Sequence, residues 1–141
     1  MTGALRAFVV LTLGGLLCAC DTGATAPSAS DLVGRDFVST EVVGAPIPGG
    51  GPFTLAFPAR ERVAAYAGCN RMMGTADFSG GVVQADGLAT TMMACPPPLD
   101  EADRWVQKLF AARPRWHLDG DVLTLATDNL RVTLVEQSAD R

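Results

Sequence analysis

Few side chains in this 141-residue sequence have reactive chemistry to offer: four cysteines, one histidine and five methionines. Cys18 and Cys20 close an apolar N-terminal run in Leu17-Cys18-Ala19-Cys20, while Cys69 and Cys95 lie in the body of the chain. Small residues before a Cys, with Leu three positions upstream, fit the lipobox that lipoprotein signal peptidase cuts once the thiol is acylated. Only Cys20 satisfies that frame, because the frame ending at Cys18 puts Gly15 where a Leu-like residue is needed. Cys20 is therefore the expected lipid attachment site. Discarding Cys18 with the leader leaves Cys69 and Cys95 as one pair in a compartment that permits disulfides, and an even remainder suggests a bridge. Closing that loop would stabilise the fold by about 3–4 kcal/mol on the chain-entropy model.

Met72, Met73, Met92 and Met93 flank those two cysteines. Thioether and thiolate are the soft donors that select Cu(I), so a soft-metal or redox protein is one alternative. Against it, adjacent methionines on a strand point to opposite faces, so at most half could converge, and Met commonly fills cores. His117 is flanked by Trp116 and Leu118 and faces outward on a period-two reading, with no HExxH or GxSxG spacing to support it. Gly49-Gly50-Gly51 lacks the strand, helix and basic residue of a phosphate loop. The expectation is a non-enzyme with no catalytic residue, no metal ligand set and no cofactor.

The elements that must position these residues are mostly strands. Short alternating runs recur at Phe37–Val43, Phe53–Phe57, Val63–Ala67, Gly74–Phe78, Val82–Ala85, Ala89–Met93, Arg115–Leu118, Val122–Ala126 and Leu130–Val135. Breakers such as Gly80-Gly81, Asp86-Gly87, Asp119-Gly120 and Asp128-Asn129 separate them, the spacing of a sandwich or barrel. One segment differs. Between Leu99 and Ala112, residues Ala102, Trp105, Val106, Leu109 and Phe110 fall at helical spacing, with Asp103, Arg104 and Lys108 opposite. Asp100 is placed to cap that helix and Arg113-Pro114 to end it. The expected fold class is mainly β, a small antiparallel barrel-like domain with one packed amphipathic helix.

Organisation follows from composition. Met1–Ala19 carries one positive side chain and an apolar run too short to span a bilayer as a mature helix, which marks it as a signal peptide. Cys20–Ser30 is small, polar and Pro-containing, the composition of a flexible tether, and the folded domain is expected over residues 31–141. The formal charge of −4 becomes −5 once Arg6 leaves with the leader. An acidic chain with scattered Arg argues against nucleic acid and against electrostatic docking on anionic lipid. Membrane attachment must then come from the lipid on Cys20. Asp21 would favour the inner membrane under the sorting rule of enteric bacteria, whereas analogy with family-type lipoproteins favours the outer one.

Three elements carry a family resemblance: Ala67-Gly68-Cys69-Asn70-Arg71 followed by Gly74, then Leu88-Ala89-Thr90-Thr91-Met92-Met93-Ala94-Cys95-Pro96 with Glu101 beyond it, and Leu123-Thr124-Leu125. In this order the chain resembles the META domain family (META/HslJ type) from about Val33 to Val135. The resemblance implies a barrel-like domain with one helix facing the periplasm of the bacterial cell envelope, in a family linked to heat shock and to tolerance of the aminocoumarin novobiocin. It implies no enzymatic activity. Cys69, Asn70, Arg71, Gly74, Thr91, Met93 and Cys95 match family positions, while Met92 stands where relatives often carry Arg. From the residues alone, Asn70 suits a turn or a left-handed conformation. Alternatively, Asn70, Arg71, Thr91 and Met93 line a recognition surface beside the helix. The partner would then be an envelope protein or a small ligand, with a lipocalin-like carrier of an apolar molecule as a further alternative.

Overall fold

The computed structural model describes residues 26–138, so the leader, Cys20 and the first residues of the tether lie outside the described residues. The described chain opens with a 3-10 turn at Ala29–Leu32, in which the Ser28 N–H is bonded to the Asp31 carboxylate and Leu32 is buried. That turn takes in Ala29 and Ser30, which composition alone assigned to the tether.

Eight antiparallel strands follow: β1 (Asp36–Val43), β2 (Thr54–Ala59), β3 (Arg62–Tyr66), β4 (Arg71–Thr75), β5 (Ala89–Thr90), β6 (Arg115–Asp119), β7 (Val122–Ala126) and β8 (Arg131–Glu136). They form one sheet in the order β5-β4-β3-β2-β1-β8-β7-β6. Every neighbour pair except β1 with β8 is consecutive in sequence, so the sheet is two meanders joined along one seam. A bulge at Thr40 interrupts that seam, where the register shifts between Ser39 and Glu41.

The sheet is not a closed barrel. Its edges, β5 and β6, do not pair; the segment after β4 bridges part of the gap, with Val82 opposite Arg115 and the Val83 N–H donating to the Pro114 carbonyl at 2.9 Å. Residues from β4, next to one edge, and from β6, at the other, share a single hydrophobic core, so the inner faces enclose one interior. Phe37, Phe53, Leu55, Leu123, Leu125 and Leu134 fill it with side chains that are 0% exposed, which leaves the carrier alternative no interior lumen around them.

The helix α1 (Ala102–Ala111) covers the opening with Ala102, Trp105, Val106, Leu109 and Phe110, all buried as the 3.6-residue period requires. The Trp105 ring meets Phe53 edge to face, and its indole N–H donates to the Ala45 carbonyl at 3.0 Å. Asp100 does not cap this helix. It sits in a 3-10 turn, Leu99–Glu101, and Glu101 occupies the N-cap position without a side-chain cap bond. At the other end Arg113 takes φ +48°, a left-handed C-terminal residue before Pro114, whose ring disfavours helix in the residue preceding it. Among the described residues no helix is long and apolar enough to cross a membrane.

Candidate functional site

Three cross-links converge where β3 passes into β4. Gly68, at φ +126°, turns the chain out of β3, and a Cβ there would meet Leu99 Cδ2 at 3.2 Å. Cys69 follows and is bridged to Cys95, with Cα atoms 6.0 Å apart, within the ordinary range for a cystine. The expected pair is therefore formed, and both sulfurs that a soft metal would need are held in the bridge. Among the described residues no group of three His, Cys, Asp or Glu side chains is placed to hold a metal ion.

Asn70 is the hub of this region. It is 7% exposed, and its amide is saturated. Oδ1 accepts from the Met93 N–H at 2.7 Å and from the Thr91 hydroxyl at 2.8 Å; Nδ2 donates to Asp103 Oδ2 at 2.7 Å, to the Met93 carbonyl at 3.2 Å and to Cys69 Sγ at 3.3 Å. Its backbone N–H donates to Asp103 Oδ1 at 2.9 Å. The side-chain amide thus stands in for a neighbouring strand, giving both backbone groups of Met93 the partners a ladder would supply. Asn70 is not among the positive-φ residues, so its role is the amide and not a left-handed turn. With both amide atoms engaged, it has little to offer an incoming partner.

The other candidate residues fall on the surface around this hub. Thr91 spends its hydroxyl locally, accepting the Arg71 N–H at 3.0 Å, and the Arg71 guanidinium lies 5.4 Å from the centroid of the Tyr66 ring. Met92 and Met93, beyond the end of β5, are both exposed at 94% and 65%; within β4, Met72 is buried and Met73 half exposed, the alternation expected of neighbours on a strand. His117 projects from the exposed side of β6, as its flanking apolar residues imply.

Beside the hub, between β5 and the last turns of α1, lies a cleft of about 280 Å³. Met72, Ala85, Leu88 and Phe110 give it an apolar floor, and Asp86, Thr90 and Gln107 provide polar groups at its walls. Gly74 allows it to form, because a Cβ at that position would meet Leu88 Cδ2 at 2.9 Å and Leu88 Cα at 3.4 Å. Apolar lining with a few polar groups is the usual make-up of a small binding site. Sequence reasoning missed both Asp103 and this cleft. Asp103 is expected on the face opposite the apolar stripe, yet it lies at the border of that stripe, between Ala102 and Val106, and faces Asn70.

Comparison with known proteins agrees with this architecture. The family model of the META domain matches residues 30–139. Heat shock protein HslJ of Escherichia coli (strain K12) is 31% identical over 139 residues, covering 96% of each chain. An NMR structure of a protein from Burkholderia xenovorans shares the fold with a TM-score of 0.62 at 20% identity, covering 84% of this chain and 97% of that one. A second NMR structure superposes with a TM-score of 0.59 at 26% identity, covering 77% of this chain and 94% of its own. Matched over nearly the whole described domain and by a full-length relative, the chain belongs to the META domain family.

Proposed function

We propose that this chain is a lipid-anchored, non-enzymatic binding module of the bacterial cell envelope, facing the periplasm and acting in stress or antibiotic tolerance. The observation that carries the reading is the polarity of the fold. Both ends of the described chain leave from one end of the sheet: the Gly34 N–H donates to the Phe57 carbonyl at 2.7 Å, and the Gln137 N–H to the Asp36 carbonyl at 2.8 Å. The cystine, the Asn70 hub and the exposed Met92 and Met93 occupy the opposite end, with the Ala45 loop and the helix. A tether from Cys20 would hold the first end toward the bilayer and present the second to the periplasm. The three acyl chains expected on a bacterial lipoprotein would anchor it stably, whereas one would not.

The test combines labelling and placement. Cells fed an alkyne palmitate should label the chain, and Cys20→Ser should abolish the label and release the protein from membranes. A photo-crosslinking residue at Asp121 should then capture lipid while one at Asn129 should not. A chain that is never acylated, or that captures lipid equally from both positions, overturns the reading, as would turnover of an envelope substrate that depends on His117.

A further inference from the structure

We infer that the free edge of β5 takes up an extended, basic polypeptide segment as a ninth strand, seating an aliphatic side chain of that segment in the cleft over Met72 and Phe110. The inference rests on the binding-module reading above and names its partner class. Its first support is the direction of the backbone. The Thr91 N–H donates to the Arg71 carbonyl at 3.0 Å, and both backbone groups of Met93 are bonded to the Asn70 amide, so residues 91 and 93 turn their peptide groups toward β4. In an extended chain successive residues alternate, which turns the N–H and C=O of Thr90 and Met92 to the other side. Two residues apart and directed outward, they present the spacing that an added strand reads.

A second support is how the two edges of the sheet are treated. Exposed edges are usually blunted by charge, proline or a covering segment. The β6 edge is covered where Val82 and Val83 pair with Pro114 and Arg115. The stretch from Ala89 to Ala94 has no charged residue and no proline, and Met92 stands almost fully exposed in it. Such an edge left open in a folded domain is a docking feature or an aggregation hazard.

The cleft and its charge identify the occupant. Thr90 borders the cleft directly, so a strand laid along β5 would bring alternate side chains over its apolar floor. Asp86 is the charged group in its lining, no basic residue contributes to it, and the whole chain is acidic. Complementarity therefore asks for a basic segment. A second copy of this chain fits poorly, since it would bring the same Asp86 and the same net charge to the junction.

The full chain, labelled with 15N in dodecyl maltoside micelles, is titrated with a pool of decapeptides carrying Lys at even positions and Val, Leu or Ile at odd ones. The Thr90 and Met92 amides should shift and their hydrogen exchange should slow at least tenfold. The same pool N-methylated at the Val, Leu and Ile amides, which face β5 when an antiparallel strand turns those side chains into the cleft, should lose this effect, and Asp86→Lys should weaken binding at least fivefold at low salt with the spectrum otherwise unchanged. Three results would overturn the inference: both amides unmoved at millimolar peptide, equal binding of the N-methylated pool, or protection of the two amides that varies with protein concentration when no peptide is present. Unchanged affinity in Asp86→Lys would overturn the assignment of a basic partner. None of these readouts depends on Cys20, so their failure leaves the anchored reading standing, and loss of acylation leaves the β5 result intact.

Discussion

From the end of the sheet that holds both chain termini, Phe37, Phe57 and Phe78 meet edge to face in series and lead on to Trp116, with ring centroids 5.1–6.1 Å apart. At the opposite end one buried amide, one cystine and one carboxylate tie β3, the segment after β5 and α1 together. The aromatic end rests on contact area, which is non-directional and shared among many atoms. The Asn70 end rests on bonds that need a particular atom in a particular place, and a buried group that loses its partner is costly. The first should therefore tolerate conservative change in proportion to volume, while the second should not.

The largest expected effect tests the aromatic end. Phe57→Ala should cost about 4 kcal/mol in urea denaturation, while Phe57→Leu, which keeps most of the buried volume, should cost about 1 kcal/mol. Equal losses for both would mean that ring geometry, not burial, holds this end. At the hub, Asn70→Ala should cost about 3–4 kcal/mol, because Met93, Thr91 and Asp103 all lose partners. Here the conservative change should bring no recovery: Asn70→Gln displaces the amide by a methylene and should unfold as easily as the alanine variant. A glutamine variant within about 1 kcal/mol of the parent would erase the contrast.

Reducing the cystine should lower stability by about 3 kcal/mol. The reduced protein sharpens the comparison further. Since Asn70 Nδ2 lies 3.3 Å from Cys69 Sγ, the loss from Asn70→Ala should be smaller after reduction than before it, whereas the loss from Phe57→Ala should be the same in both forms. The smallest effect belongs to the Arg35–Glu136 ion pair near the aromatic end. The hydrogen bond from Arg35 holds the Glu136 carboxyl below its ordinary value of 4.5. A depressed carboxyl contributes stability that is present above its unfolded value and lost as pH falls through the folded one. Glu136→Gln should thus lower the neutral melts slightly and flatten the acid limb of a thermal-melt series below about pH 4.5, the two proteins converging at low pH.

The same contrast explains how much could be read from the residues. Period two located β1, β2, β3, β6, β7 and β8 to within about two residues, because one face of each lies in the core, and period 3.6 located α1. Trouble came wherever the partner was not a regular strand. A strand expected at Gly74–Phe78 lies instead at Arg71–Thr75, starting directly after the hub, and the chain then leaves the sheet to bury Ala76 and Phe78 in a loop. The run at Val82–Ala85 is apolar enough for a strand but makes only isolated bridges, through Val82 and Gln84. Ala89–Met93 shortens to Ala89–Thr90 because a side-chain amide, not a backbone ladder, receives Met93. The cystine could be anticipated by counting, but the Asn70–Asp103 contact joins residues 33 apart with no periodic signature. Local pattern reports which face is buried. It does not report which polar atom will be waiting there.

The single seam in the strand order has a kinetic consequence. Each of the other neighbouring pairs, from β1–β2 to β7–β8, joins strands consecutive in sequence, and most are closed by turns a few residues long. Such pairs form on the microsecond timescale of hairpins. Joining β1 to β8 is different, for it must bring together Arg35 and Glu136, 101 residues apart. Loop-closure entropy then falls on one late event, so the two meanders should assemble early and wait for each other, and the folding rate should follow substitutions along the β1–β8 seam more closely than those at either edge.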